Sequence, residues 1–412
     1  MDTTKNNNHY RILVLSILAF LVMFSYSISR PSTESLFLKI HSSKSLPYVW
    51  LLLIASMLGV VYIYNLFVTR ISLLKLFNRI VLVSGFTVIV LIFLAELQFP
   101  GVYYALYLWK DIYIVLLVDT FYAYANSVFP IKTARWIYGL FGGMGASGGI
   151  VGNLLVGTMA THVGSLATLW VVPGVFFIIC LITICSRSLD LKVQSEDMHQ
   201  GIENIRNAFR IVKKSHYLVF VLGLIALTQI VITLIDFEYN GFMEKTFPLT
   251  DIRTGMIGRV YASLDAATFI LYGFTGPILR LLGIPLTLVF IPFVLGIGVS
   301  AYTIVPNFYT VSALKVLSKC FDYTLFKASK EILYIPLSYL EKTRGKSIVD
   351  LLTYRSAKGG ASILLFILIM FSLTSYVSFM ILFLLCIWCI VAFIVSRRFR
   401  DKVTRQEEMR GL

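Results

Sequence analysis

The sequence predicts an all-α membrane protein of twelve transmembrane helices in two six-helix bundles, arranged like the major-facilitator transporters. Three observations carry this expectation. Hydrophobic residues make up 58% of the 412 residues and charged residues 14%, against roughly 45–50% and about 25% in soluble domains. The apolar residues lie in long blocks, each matching the ~20 residues that a helix needs to cross lipid. The longest hydrophilic stretch, about 187–216, falls midway along the chain.

Crossings bounded by charges, Gly or Pro are expected near 11–38, 47–68, 78–95, 102–129, 137–160, 165–186, 217–241, 255–277, 282–304, 307–337, 357–374 and 376–396. The first apolar run is too long for a secretory signal, and no small-residue cleavage site precedes a soluble domain. The domains expected are a bundle over 1–186, a linker over 187–216, a second bundle over 217–400 and a tail over 401–412.

Lys and Arg set the orientation, because cytoplasmic loops collect them. Alternate loops carry Arg70, Lys75 and Arg79, then Lys132 and Arg135, then Arg280, then Lys342, Arg344, Lys346, Arg355 and Lys358. Arg397, Arg398, Arg400, Lys402 and Arg405 follow in the tail, while the opposite loops hold little beyond Lys39, Lys44, Lys245 and Arg253. Both termini are therefore expected in the cytoplasm of a multi-pass inner-membrane protein. The net charge of +15 then reflects topology and attraction to anionic lipid, not a nucleic-acid partner. Within 187–216, Ile202, Ile205, Phe209 and Val212 recur at helical spacing, while Glu203, Arg206, Arg210 and Lys213 point elsewhere. That pattern predicts an amphipathic connector on the membrane surface.

A weak internal repeat fits two halves. The fourth crossing holds Asp119-Thr-Phe-Tyr-Ala-Tyr-Ala-Asn126 and leads into Gly142-Gly-Met-Gly-Ala-Ser-Gly-Gly149. The tenth holds Asp322-Tyr-Thr-Leu-Phe-Lys-Ala-Ser329 and leads into Lys358-Gly-Gly-Ala-Ser362. These glycines read as close helix packing and not as a phosphate loop, since no Gly-x4-Gly-Lys-Ser/Thr pattern is present.

Ionisable groups inside crossings are expensive and need a partner, a cavity or the interface. The tenth crossing stands out, with Lys319, Asp322, Lys327, Lys330 and Glu331 in thirteen residues. On a regular helix the first four of these share an arc of roughly 140°. Pairs Lys319–Asp322 and Lys327–Glu331 would leave Lys330 over, so the face reads as a surplus-cationic cavity wall. Elsewhere Asp119 lies in the fourth crossing, and Asp236 and Asn240 share a face of the seventh. Arg30 and Glu34 stand four apart in the first, readable as a simple interfacial pair or as part of a site. Asp265 in the eighth is expected to make a helix–helix hydrogen bond, and the adjacent Lys110 and Asp111 to lie near the outer surface. Surplus Lys and Arg favour an anionic cargo, phosphate above all. Tyr122, Tyr124, Tyr239, Tyr261 and Tyr323 near these charges could stack on a base, although tyrosine is also ordinary helix filling.

The segment Asp322-Tyr-Thr-Leu-Phe-Lys-Ala-Ser-Lys-Glu-Ile-Leu-Tyr-Ile-Pro-Leu337, followed by Gly345-Lys-Ser-Ile-Val-Asp350 and Lys358-Gly-Gly-Ala-Ser362, resembles the nucleotide transporter family. These are the ATP/ADP translocases of obligate intracellular bacteria and plastids. A weaker likeness runs through the start of the first crossing, Tyr124-Ala-Asn126 and Tyr138-Gly-Leu-Phe-Gly142. The resemblance implies that Lys330 is a transport-essential lysine, and that Asp119 and Asp236 stand where the family carries functional glutamates. It also exposes departures. The family's Arg-Asp-Thr-Lys-Asp reads here Arg30-Pro-Ser-Thr-Glu34, with Thr33 in place of a functional lysine. That admits a cargo with fewer phosphates, another nucleotide or a different anion.

The function expected is secondary transport of a nucleotide, ATP/ADP or another NTP/NDP pair, by alternating access and exchange. Lys330, Lys327, Arg30, Asp119, Asp236, Asp322, Asn240 and Tyr124 are the expected substrate-binding residues. The competing readings are a proton-coupled carrier for another organic anion and a non-transporting membrane protein on a transporter fold. No enzyme is expected, because no nucleophile–base set, metal-ligand set or cofactor fingerprint is present. A monomer without metal or cofactor is the expected form, its partners being the anionic solute and the bilayer.

Overall fold

At lipid depth the backbone has no water to bond, so its N–H and C=O groups must be satisfied within the segment, and helices do this. The computed structural model describes residues 2–68, 70–129, 131–186, 215–337 and 346–410, and these are almost wholly helical. In order they are α1 (Asp2–Ile40), α2 (Leu46–Val68), α3 (Leu73–Glu96), α4 (Val102–Val128) and α5 (Ile131–Val163). The short α6 (Ser165–Thr168) and α7 (Val171–Cys185) follow, then α8 (His216–Thr246) and α9 (Thr250–Ile304). Last come α10 (Phe308–Phe321), a π-helical turn (Asp322–Phe326), α11 (Lys327–Leu333), α12 (Lys346–Met370) and α13 (Val377–Arg410). The connector expected over 187–216 lies outside the described residues, apart from Ser215 and from His216, which opens α8. Lys342 and Arg344 also lie outside them.

Eight helical stretches among the described residues are long and apolar enough to cross a membrane. One is α9, whose 55 residues leave the helical conformation at Gly283, with φ 70° and ψ 164°. Only glycine adopts that region without strain. The crossings expected at 255–277 and 282–304 are therefore joined by an elbow of one residue and not by a loop. The expected crossings at 102–129, 307–337 and 357–374 coincide with α4, with α10 to α11 and with α12, which their polar residues keep outside the apolar set.

Packing divides the chain into two compact units. The first takes Met1–Ser45, Leu52–Ser195 and Met243–Ala266; the second takes Leu46–Leu51, Glu196–Phe242 and Ala267–Leu412. These units differ from the expected linear halves, because the start of α9 belongs with α1 and α5.

The core of the first unit draws Leu15, Leu18, Val22 and Ile28 from α1, Val81, Val88 and Ile92 from α3, and Leu106, Tyr113 and Leu117 from α4. Phe141 and Val156 of α5 and Val172, Phe176 and Ile179 of α7 complete it. Between the buried positions of α3, Leu82, Val83 and Phe86 are exposed, as lipid-facing side chains of a membrane helix must be. In the second unit Ile381, Leu385, Trp388, Ala392 and Val395 make one buried stripe along α13, while Phe379, Phe383, Ile390 and Phe393 face outward.

Small residues let backbones approach where lipid offers no hydrophobic drive. A Cβ added at Gly152 would sit 2.7 Å from the Phe24 carbonyl oxygen of α1. On α9, one added at Gly258 would sit 2.8 Å from the Asn153 carbonyl oxygen, and one at Gly255 3.0 Å from that of Gly157, both on α5. Within the expected glycine runs, a Cβ added at Gly145 or Gly148 would lie against Met23 or Phe20 of α1, whereas one at Gly142 or Gly360 would meet nothing within 4 Å. Gly258→Val should lower the thermal stability of the detergent-purified protein by about 1–3 kcal/mol. Gly276→Ala, where nothing lies within 4 Å, should leave it unchanged.

Candidate substrate site

A charge at lipid depth forces its neighbours to be polar, and each unit meets this demand with a cluster of its own. In the second unit Val311, Lys315, Ser318 and Asp322 recur at helical spacing, and all are buried. The same face therefore carries a lysine and an acid among its core positions. Lys315 is 1% exposed, and its Nζ lies 2.6 Å from Asp236 Oδ1. Lys319 Nζ lies 3.0 Å from Asp236 Oδ2. One carboxylate of α8 is thus held between two lysines of α10, with Lys315 Nζ also 5.0 Å from the ring of Tyr239.

One turn along α8, the Asn240 amide donates to the Asp236 backbone oxygen at 2.7 Å. Its Oδ1 is buried without a hydrogen-bond partner among the described residues. Asp322 accepts a hydrogen bond from Gln229 Nε2 at 3.1 Å. Lys330 is 7% exposed, with its Nζ 5.0 Å from the Tyr354 ring of α12. Lys358 Nζ stands 5.5 Å from the Trp50 ring.

The tenth crossing departs from the regular helix expected. Its π turn over Asp322–Phe326 adds about one residue to a helical turn and shifts the phase of all that follows by roughly 100°. The 140° arc therefore does not carry past Phe326. Lys327 and Glu331 are exposed, whereas Lys330 is buried. Lys319 reaches Asp236 across helices, a contact that the expected Lys319–Asp322 pair within one helix did not include.

In the first unit the focus is Glu34 of α1. Its Oε1 lies 3.3 Å from Arg30 Nε and 3.6 Å from Lys110 Nζ of α4. The Tyr261 hydroxyl of α9 donates to Oε2 at 2.6 Å, and the Arg30 guanidinium lies 3.8 Å from the centre of the Tyr261 ring. Lys110 Nζ also meets Asp111 Oδ1 at 2.9 Å and stands 4.0 Å from the Tyr107 ring. Lys110 is 2% exposed, so its ammonium is buried among these partners. Nearby Asp265 accepts from Asn153 Nδ2 at 2.9 Å, the helix–helix hydrogen bond expected of it. The Thr33 hydroxyl is turned back on its own helix, donating to the Ser29 carbonyl at 2.8 Å.

Of the other expected residues, Asp119 is exposed on α4, and Tyr124 is buried in the apolar core of the first unit. Arg253, expected in a loop, is buried in the first turns of α9, where its guanidinium donates to the Ser35 carbonyl at 2.8 Å and the Ser35 hydroxyl at 3.1 Å. Sequence reasoning missed Lys315 and Gln229, and noted Lys110 without placing it in a site. The periodicity held the signal for the two lysines: Leu106, Lys110, Tyr113 and Leu117 repeat the 311–322 pattern and are likewise buried.

The model of one protein family, the TLC ATP/ADP transporter, matches residues 96–399. The chain belongs to that family. Among its relatives, the chloroplastic ADP,ATP carrier protein 1 of Arabidopsis thaliana is 23% identical over 342 residues, which cover 73% of this chain and 54% of the relative. The ADP,ATP carrier protein 1 of Chlamydia muridarum (strain MoPn / Nigg) is 24% identical over 333 residues, covering 69% and 61%. The chain thus spans between half and two thirds of the length of these two relatives. A solved structure of a nucleoside transporter NupG mutant matches 95% of this chain and 99% of its own, with a TM-score of 0.70 and 12% identity. A bacterial homologue of the iron transporter ferroportin, solved in an inward-facing state, matches 94% and 99% with a TM-score of 0.67 and 14% identity. These likenesses show a major-facilitator-like transporter fold in a multi-pass membrane protein.

Taking away one member of a buried ion cluster leaves the others uncompensated. Asp236→Asn should destabilise the protein by about 3–5 kcal/mol, measured by thermal unfolding in detergent. Adding Lys315→Gln should recover part of that loss, because the buried lysine that Asp236 compensates is then gone too.

Proposed function

We propose that this member of the family is a secondary carrier of the cell (inner) membrane, with both termini cytoplasmic, that moves a nucleotide by alternating access and exchange. The observation that carries the proposal is the cation surplus along 308–333. Lys315, Lys319 and Lys330 are buried or largely buried there, and the acids beside them are Asp236 and Asp322. Three ammonium groups against two carboxylates suit a polyanionic cargo, and phosphate oxygens accept from lysine as point-charge partners. The relatives' description as ADP,ATP carriers supports the nucleotide as that cargo.

In this reading Lys319, Lys330 and Lys315 meet phosphate, while Asp236 and Asp322 hold those lysines when no cargo is bound. Asn240 Oδ1 offers an acceptor beside them. Lys327, exposed on α11, Arg30, Asp119 and Tyr124 stay as contributors to be tested in the same assay. Lys110 adds a second cation to Glu34, one residue beyond Thr33.

Proteoliposomes loaded with unlabelled ADP and offered a panel of labelled nucleotides give the direct test. At least one nucleotide should exchange, and Lys330→Ala should slow it by roughly tenfold or more, the usual cost of a lost charge-assisted contact. No exchange of any nucleotide, or full exchange by Lys330→Ala, overturns the proposal. The absence of a cation at Thr33 favours one further reading, a proton-coupled carrier of a smaller organic anion. Uptake abolished by collapse of the proton gradient and indifferent to nucleotides would select it.

A further inference from the structure

We infer that the second unit holds a binding site for the phosphate headgroup of an acidic phospholipid where α8 begins and the apolar stripe of α13 ends. A cavity of about 340 Å³ is lined there by Ser215, His216, Tyr217, Arg398, Asp401 and Lys402. It lies apart from the lysines assigned to cargo, and no part of the proposed transport function uses it.

Two observations make this a built site and not scattered surface charge. First, its cations are held in place. The Arg398 guanidinium lies 4.3 Å from the centre of the Phe220 ring, and Lys402 Nζ lies 5.3 Å from that of Tyr217. Cation–π contacts of this kind orient a cation while leaving its N–H donors available to an anion. Second, the floor is rigid. Tyr217 is buried, and its hydroxyl donates to the Leu333 carbonyl at 2.9 Å. Among the described residues, neither Arg398 nor Lys402 closes an ion pair. Asp401 is exposed, so the acid in the lining lies toward the rim.

The location selects the source of the phosphate. The apolar run of α13 passes directly into Arg397, Arg398, Arg400 and Lys402 within one continuous helix, so the cavity stands where acyl chains give way to headgroups. Basic groups immediately beyond a membrane helix attract anionic lipid, and Arg398 can grip a phosphate with two parallel N–H donors. The exposed Phe393, five residues before Arg398, offers an apolar surface for the lipid's chains. Because Tyr217 bonds to the last residue of α11, a headgroup seated here would steady the helix that carries Lys330.

The test is lipid retention by the full chain in nanodiscs of phosphatidylcholine mixed with phosphatidylglycerol, read by native mass spectrometry. Phosphatidylglycerol should be retained over phosphatidylcholine, and R398Q/K402Q, which removes both charges and keeps polar side chains, should lose roughly tenfold of that preference. R397A/R400A should keep it, since both residues are exposed on the same helix and do not line this cavity. Equal retention of the two lipids overturns the inference, as does an equal loss in R397A/R400A, which would mean diffuse surface charge. Displacement of the lipid by inorganic phosphate or ADP also overturns it, in favour of a soluble-anion site. Each variant is compared only if it elutes as a single species, with R398K/K402R as the charge-conserving control that should retain the preference. The readout is binding, so its failure is separate from any failure of the transport proposal.

Discussion

A charge placed at the depth of the bilayer cannot be left alone, and this constraint organises both units. The cost of an isolated ion there is several kcal/mol, more than one helix–helix contact repays. Glu34 and Asp236 are therefore not decorations on otherwise apolar helices. Each fixes the register of its helix against another, because only one register brings Lys110 or Lys315 within reach of it. A slide by one turn would break these ion clusters, at a cost of about 3–5 kcal/mol for each buried partner lost.

The two clusters share a plan. In each, a carboxylate from one helix, α1 or α8, meets a buried lysine from another, α4 or α10, and a tyrosine ring lies beneath that lysine. They differ in balance. Arg30 and Lys110 face Glu34, Asp111 and Asp265, so the first cluster carries no cation surplus. Lys315, Lys319 and Lys330 stand beside Asp236 and Asp322, so the second carries the surplus. The π turn that follows in the second unit lets Asp322 meet Gln229 and Lys330 turn inward within eight residues, a spacing that a regular helix would spread differently.

The helical fold was legible because lipid demands uninterrupted apolar runs, and nothing else in a sequence looks like them. The site was legible only in part. Lys330 and Asp236 stood out by type and place, and the family motif reinforced Lys330. Lys315 and Lys110 did not stand out, because a lysine beside a helix end reads as interfacial unless its neighbours at i−4 and i+3 are weighed with it. Val311 and Ser318, or Leu106 and Tyr113, would have shown those lysines on the buried face. The phase shift after Phe326 was not legible at all, since a π turn depends on which side chains can be accommodated across the helix interface. Nor could the sequence tell that the start of α9 packs with the first unit, because that depends on three glycines meeting across two helices far apart in the chain.

The surplus cation bears on the mode of transport under the proposed function. Occluding three lysines beside two carboxylates buries an unbalanced charge, and at 4 Å each missing partner forgoes about 4 kcal/mol at an effective dielectric of 20. A phosphorylated cargo supplies the missing charge, so the loaded carrier can close around its cargo at lower cost than the empty one. A carrier whose empty form closes reluctantly returns mainly when loaded, and that is the behaviour of an exchanger. A net importer needs the opposite balance, with acids sufficient to neutralise every lysine once the cargo has left. Asp236 and Asp322, set against Lys315, Lys319 and Lys330, fall short of that requirement by one charge.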